Sequence, residues 1–417
     1  MNICTFLKFG AALLATLLIV EFSFAADSTA SFDGLDGKIF VGYQGWFRCP
    51  GDGGRESFAS GGWFKDKIDE NDRASTRQWL VDQLPDVSEI PASARCRVPK
   101  LNLNYPNYEV FSSLSPEVVD VHFRWMEKYR VDGAMVQRFI NQLDRLSYEN
   151  DKVLSNIVSS SAKYRRSFLI EYDLSYATDE DIKRRIFTDF SNLENRFGLS
   201  KLKNYQKVGG KPVVSIWGLG FGDGHHVNDP KLALEIISWF KARGFVVIGG
   251  VPAYWATLSR DSFANSAWNK VYSSLDIVQP WTVGRYKSTL DYLKWASLMY
   301  PRDLRVVALN RQKYMPVIFP GFSRHNRVSS EMSNLIPRGD GDFLMTQAKV
   351  LRAYGISFLK IAMFDEFNEA TAIIPTVNEL AALPEEGRWI VDEGDSSKTS
   401  YYYLGLVGRI KDIFNRD

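Results

Sequence analysis

The chain has 417 residues, 45% of them hydrophobic and 24% charged, with a formal net charge of +2. That is enough apolar material for a large core, while near-neutral charge without a basic stripe excludes the usual nucleic-acid binder. Aromatic residues make up 14%, many of them outside periodic segments, as suits a surface that stacks on sugars.

The N-terminus reads as a secretory signal. Lys8 precedes an apolar run over residues 9–20, and Ser23-Phe24-Ala25 is a small-x-small cleavage pattern. The mature protein is expected to start near Ala26 and to be secreted or periplasmic. The run is too short for a membrane span, and an uncleaved anchor is the competing reading. No later segment is apolar enough to cross a bilayer. Cys4 lacks a lipoprotein-type pattern before it, so no lipidation is expected. Cleavage leaves Cys49 and Cys96, either as one disulfide or as two buried thiols.

Eight strand-like runs follow at intervals: 38–43, 133–137, 167–172, 212–217, 245–249, 275–280, 315–319 and 358–364. Their continuous Val, Ile, Leu and Phe content predicts parallel strands buried on both faces. Helices lie between them. Ser115-Pro116-Glu117 supplies a cap, a first-position proline and a first-turn acid, and Val118, Val121, His122, Trp125 and Tyr129 continue at helical spacing. Asn228-Asp229-Pro230 opens a helix that stops at Gly244. Residues 342–354 form another, stopped by Gly355, and residues 401–414 a last one. Eight strands alternating with helices predict a single-domain α/β (β/α)8 TIM barrel over residues 26–417, with a long loop insertion after strand 1, residues 44–114. An open doubly wound sheet is the runner-up, but no glycine-rich phosphate loop accompanies it.

The strongest chemical signal is Ile361-Ala-Met-Phe-Asp-Glu-Phe-Asn-Glu-Ala-Thr. A buried strand runs straight into Asp365, Glu366 and Glu369, three acids that repel one another and are expensive to desolvate. At the mouth of a barrel, Glu366 and Glu369 spaced i,i+3 can share acid and base work at about 5 Å. The competing reading is a solvated acidic turn at a helix N-terminus. A divalent metal needs further ligands that nothing nearby supplies, and no cofactor is expected.

Glu366-Phe367-Asn368-Glu369-Ala370-Thr371 resembles the Glu-x-x-Glu-Gly-Thr signature of glycoside hydrolase family 99, which contains endo-α-mannosidases and endo-mannanases. Val41-Gly42-Tyr43-Gln44-Gly45-Trp46-Phe47 resembles the first strand and loop of those barrels. The segments beginning Lys211-Pro212, Gln279-Pro280-Trp281 and Met315-Pro316 also look like this group, so the resemblance runs through nearly the whole mature chain. It implies Glu366 as general base and Glu369 as general acid, with retention of configuration through a 1,2-anhydro sugar formed by the substrate's own 2-hydroxyl. Ala370 stands where the family has glycine, and Phe367-Asn368 where it has an aromatic–histidine pair, so mannose specificity does not carry over.

Further residues fall where βα loops build barrel sites, and are expected to contact an oligo- or polysaccharide: Tyr43, Trp46, Trp63, Arg138, Tyr172, Asp173, Trp217, His225, Tyr254, Trp281, Arg285, His325 and Asp365. Several carry a plainer reading. Tyr43 fits a core position equally well, His225 a surface loop, and Arg285 a pairing with a loop carboxylate. Arg138 would keep Glu366 ionised if the two were neighbours. The chain thus reads as an exported glycoside hydrolase of α-linked glycans, and alternatively as a barrel that binds glycans without cleaving them.

Overall fold

The computed structural model describes residues 32–55, 62–67, 76–98, 108–391 and 398–415. The signal segment and most of the charged turn near residue 392 lie outside them. Residues from Phe32 onward form one compact unit.

All eight expected strands form. They are β1 (Ile39–Tyr43), β2 (Gly133–Phe139), β3 (Ser167–Asp173), β4 (Lys211–Trp217), β5 (Val246–Pro252) and β6 (Ile277–Trp281). The short pieces Lys313–Tyr314 and Val317–Ile318 together make β7, and Leu359–Ile361 is β8. Every pairing around the ring is parallel. β7 closes it, because Tyr314 registers with Val278 of β6 and Val317 with Lys360 of β8. Eight helices alternate with the strands: α1 (Pro116–Lys128), α2 (Leu143–Lys163), α3 (Asp179–Phe197), α4 (Pro230–Ala242), α5 (Ala267–Ser274), α6 (Thr289–Leu309), α7 (Asp342–Ala353) and α8 (Tyr402–Phe414). This is the (β/α)8 barrel.

The predicted helix starts hold at their prolines, although the Ser115 side chain bonds Glu117 and makes no cap. Pro116 and Pro230 open α1 and α4, where a missing N–H costs nothing, and the Asp229 side chain accepts from Lys231 N. The insertion after β1 contains two hairpins, Phe64–Lys67 with Thr76–Trp79 and Arg95–Arg97 with Glu109–Phe111. A Cys49–Cys96 disulfide, with Cα atoms 6.1 Å apart, ties the second hairpin to the end of the first loop.

Within the barrel, alternate strand residues face inward and the others meet the helices. On β3 this puts Glu171 and Asp173 inside and Tyr172 outside. Glu171 receives a hydrogen bond from Lys360 Nζ at 2.5 Å, from Ser215 Oγ at 2.9 Å and from Gln137 Nε2 at 3.3 Å. β3 and β8 are not neighbours in the sheet, so the Glu171–Lys360 contact crosses the barrel interior. Both side chains are fully buried.

A buried pair of this kind stands or falls together, because either charge alone has nothing to offset its desolvation. Lys360→Met or Glu171→Leu alone is expected to lower unfolding free energy by about 3–5 kcal/mol. The double variant is expected to lose clearly less than the sum, as read by denaturant unfolding; additive losses would refute the coupling.

Candidate active site

Glu366 follows β8 and caps a short 3-10 turn, Phe367–Glu369. Glu369 ends this turn and Glu366 precedes it, close enough for the charge of Glu366 to act on Glu369. The turn is pinned from several directions. Phe367 is buried against Phe47, Trp63 and Phe111. Ser323 N donates to Glu369 O, and Arg338 donates to the carbonyls of Ala370 and Ala372.

The two glutamates differ in surroundings. Glu366 is 7% exposed; Gln44 Nε2 donates to its Oε1 at 2.6 Å and Thr371 Oγ1 to its Oε2 at 2.8 Å. Burial raises its pKa above the usual carboxylate range, while those two donors and the Arg327 charge oppose the rise. Glu369 keeps 24% of its side chain exposed, and its nearest cation is Arg324 at 3.6 Å. Burial, and then the charge of Glu366, push its pKa up to about 8. Glu366 has the donors that stabilise an anion, so Glu369 holds the shared proton at neutral pH.

Trp46 stacks on Phe139 at 5.2 Å, and Trp217 meets Trp281 edge-on at 5.3 Å. All four are half-buried. Asp173 registers with Trp217, is bonded by the N–H and hydroxyl of Ser175, and is pushed up to about 6 by burial. A hollow of about 230 Å³ opens beside the Phe367–Glu369 turn, lined among others by Gly45, Trp46, Arg327 and Asn368. Among the described residues, Gln44 Oε1 and Asn368 Oδ1 are buried acceptors with no protein donor.

Other expected contacts sit elsewhere. Tyr43 faces outward, its hydroxyl 2.9 Å from His122 Nδ1 in the core. Trp63 is fully buried and donates to Phe111 O. Arg138 and Tyr172 also face the helix layer; both bond Asp189 of α3, and Arg138 also pairs with Asp151 of α2, so Arg138 is not a neighbour of Glu366. The residue whose side chain turns inward on β2 is Gln137, one position earlier. Asp365 is fully buried, its two oxygens accepting from Gln44 N and Gly45 N at 2.8 Å each, which makes it a joint of the fold and not a sugar ligand.

His225 lies exposed on the rim against Tyr176, whereas His226 is tucked beside Trp217. Arg285 pairs with Asp261 at 2.5 Å, the plainer of its two readings. Tyr254 accepts from Arg260, and the His325 ring meets Glu331 O at 2.6 Å. Sequence reading missed Gln44, Thr371, Arg327, Glu171 and Lys360. The last two carried a signal, since Lys360 is the one charge in an apolar strand and Glu171 interrupts another.

No protein-family model and no curated protein matches the sequence. Solved structures do resemble the fold. A glycoside hydrolase family 99 endo-α-mannosidase from Bacteroides thetaiotaomicron aligns over 91% of this chain and 98% of its own, with a TM-score of 0.59 at 15% identity. The same enzyme bound to bis-tris-propane gives a TM-score of 0.59 at 14% identity over the same shares of both chains. A glycoside hydrolase-like protein covers 92% of this chain and 95% of its own, with a TM-score of 0.55 at 12% identity.

The raised pKa of Glu369 has a consequence for stability. The fold favours its protonated form, so ionising it opposes folding. That penalty is absent below the ordinary carboxylate pKa of 4.5, grows as pH rises, and is complete above about 8. Glu369→Gln removes it. The variant is therefore expected to gain more in unfolding temperature over the native chain at pH 8 than at pH 5; an equal difference at both pH values would contradict the assignment.

Proposed function

We propose that this chain is an exported glycoside hydrolase related to family 99, cleaving α-linked glycans with Glu366 as general base and Glu369 as general acid. One observation carries the reading: two electrostatically coupled glutamates on a single turn at the carboxyl end of β8, one furnished with anion-stabilising donors and the other with its pKa at about 8. The likeness in fold to an endo-α-mannosidase supports the substrate class. The half-buried tryptophans at the mouth supply faces for sugar rings, and the Cys49–Cys96 bridge suits an oxidising compartment.

In this mechanism Glu366 removes the proton of the sugar 2-hydroxyl. The freed oxygen forms a bond to the anomeric carbon as the glycosidic bond breaks, and Glu369 gives its proton to the departing oxygen. Water then attacks the anomeric carbon of the 1,2-anhydro sugar. Glu369 takes the water's proton, Glu366 returns its own to the 2-oxygen, and the two inversions leave net retention. Gln44 and Thr371 hold Glu366 in place throughout.

The test is hydrolysis of a panel of α-mannans and other α-glycans. Cleavage of at least one is expected, with Glu369→Gln lowering kcat by about 10²–10⁴-fold, the usual worth of a general acid. Cleavage that survives intact in Glu369→Gln would refute the assignment, and binding without any cleavage would make the chain a glycan-binding barrel. The acid works only while protonated, so kcat/KM should fall as pH rises through about 8. Glu369→Gln should lose that limb, which a pH–rate profile of its residual activity would record.

A further inference from the structure

The rim carries a second hollow, of about 640 Å³, that shares no lining residue with the one beside the catalytic turn. It lies between the loop after β5, the loop after β6 and the outer face of α6. Arg260, Lys287, Lys294 and Arg302 line it. Among the described residues, none of the four has a carboxylate within ion-pair distance. A fifth cation, Arg285, is already held by Asp261, and Asp291 is the one acid in the lining. Four cations facing one anion in a concave site repel one another, and the arrangement is relieved by an incoming negative charge.

A further observation points to a ligand. Arg260 lies 4.5 Å from the centre of the Tyr254 ring and donates to its hydroxyl at 2.6 Å, so its guanidinium is oriented without any counter-ion. The volume falls within the range for small-molecule sites. The hollow also adjoins the mouth: β6 ends at Trp281, which packs on Trp217 there, and Gly284 of the lining follows three residues later.

We propose that this hollow is a subsite for an anionic sugar unit, bearing a carboxylate or a sulfate ester, in a glycan whose neighbouring units reach the barrel mouth. The proposal rests on the glycan-cleaving reading above for the identity of the rest of the ligand. The two sources of negative charge share the chemistry of recognition, and separate probes tell them apart.

Titration calorimetry on Glu369→Gln protein would compare three oligosaccharides of equal length: neutral, uronate-bearing and sulfated. At least one acidic probe is expected to bind about tenfold more tightly than the neutral one, with the preference shrinking as salt rises. In a protein that also carries Lys294→Glu and Arg302→Glu, the ratio of acidic to neutral affinity should collapse towards one. Its unfolding temperature should stay close to that of the parent, since both side chains are exposed. Equal binding of all three probes, or a preference that survives the double charge reversal, would overturn the subsite. Because this is read as binding, it is distinct from the hydrolytic reading: an acidic preference without cleavage by native protein sinks the enzyme and keeps the subsite, and cleavage of neutral glycans without the preference does the reverse.

Discussion

The mouth of this barrel depends on the carboxylate of Asp365. Its two oxygens accept from the successive amides of Gln44 and Gly45, so the loop leaving the first strand is clamped to the loop leaving the last. The neighbouring bond from Phe364 N to Gly42 O carries the junction down to the sheet. Desolvating a carboxylate is expensive, and burial pushes this one up to about 6 against the pull of the two amides. The clamp also helps position Glu366. Gly45 takes a φ of +61°, which turns the chain so that the Gln44 side chain reaches Glu366. A side chain at position 45 would meet Val153 and Tyr43 within 3.0 Å as well as straining the backbone.

A second buried carboxylate does the same for the outer wall. Asp82, from the insertion after β1, accepts from Ser323 Oγ and from the amides of His325 and Asn326, and its own N–H donates to Phe367 O. The insertion is therefore a brace between the β7 and β8 loops. With Ser323 and Arg338 bonded to carbonyls of residues 369, 370 and 372, the backbone around Glu369 is held by separate segments of chain. Such a backbone can present a partly exposed carboxylate without it drifting towards its cations. Arg324 stays 3.6 Å away, itself bonded to Glu331 at 2.6 Å, which limits how far it can lower the Glu369 pKa.

How much of this was legible in the sequence follows from what periodicity can carry. The eight strands were visible because a parallel sheet buried on both faces leaves unbroken apolar runs. The same property hides which way each side chain points, and that is why Arg138 and Tyr172 were read as facing the cleft when they face the helices, and why Tyr43 was left open between cleft and core. The terminal residues of β4 and β6, Trp217 and Trp281, meet each other at the strand ends, and Asp173 registers with Trp217. Trp63 failed differently: its partners Phe47, Phe111 and Phe367 come from distant segments. Glu366 and Glu369 stood out because three acids straight after an apolar strand are expensive to desolvate, although Asp365 turns out to be there for structure. Gln44 and Thr371, which distinguish the two glutamates, are ordinary polar residues whose role exists only once the Asp365 clamp has formed.

The departures from the family 99 pattern acquire physical meaning in this frame. Ala370 has a φ of +51° and is 1% exposed, so the turn after Glu369 has the left-handed geometry that glycine adopts freely and alanine resists by about 1–2 kcal/mol. Arg338 on its carbonyl keeps the turn in that shape despite the added methyl group. Asn368 replaces a residue that would titrate near neutrality with one that never ionises. Of the imidazoles, His122 lies in the core against Tyr43, where burial drives it down to about 3, and His226, beside Trp217, is likewise lowered. Within this turn the asymmetry between Glu366 and Glu369 comes from the donors and charges around them.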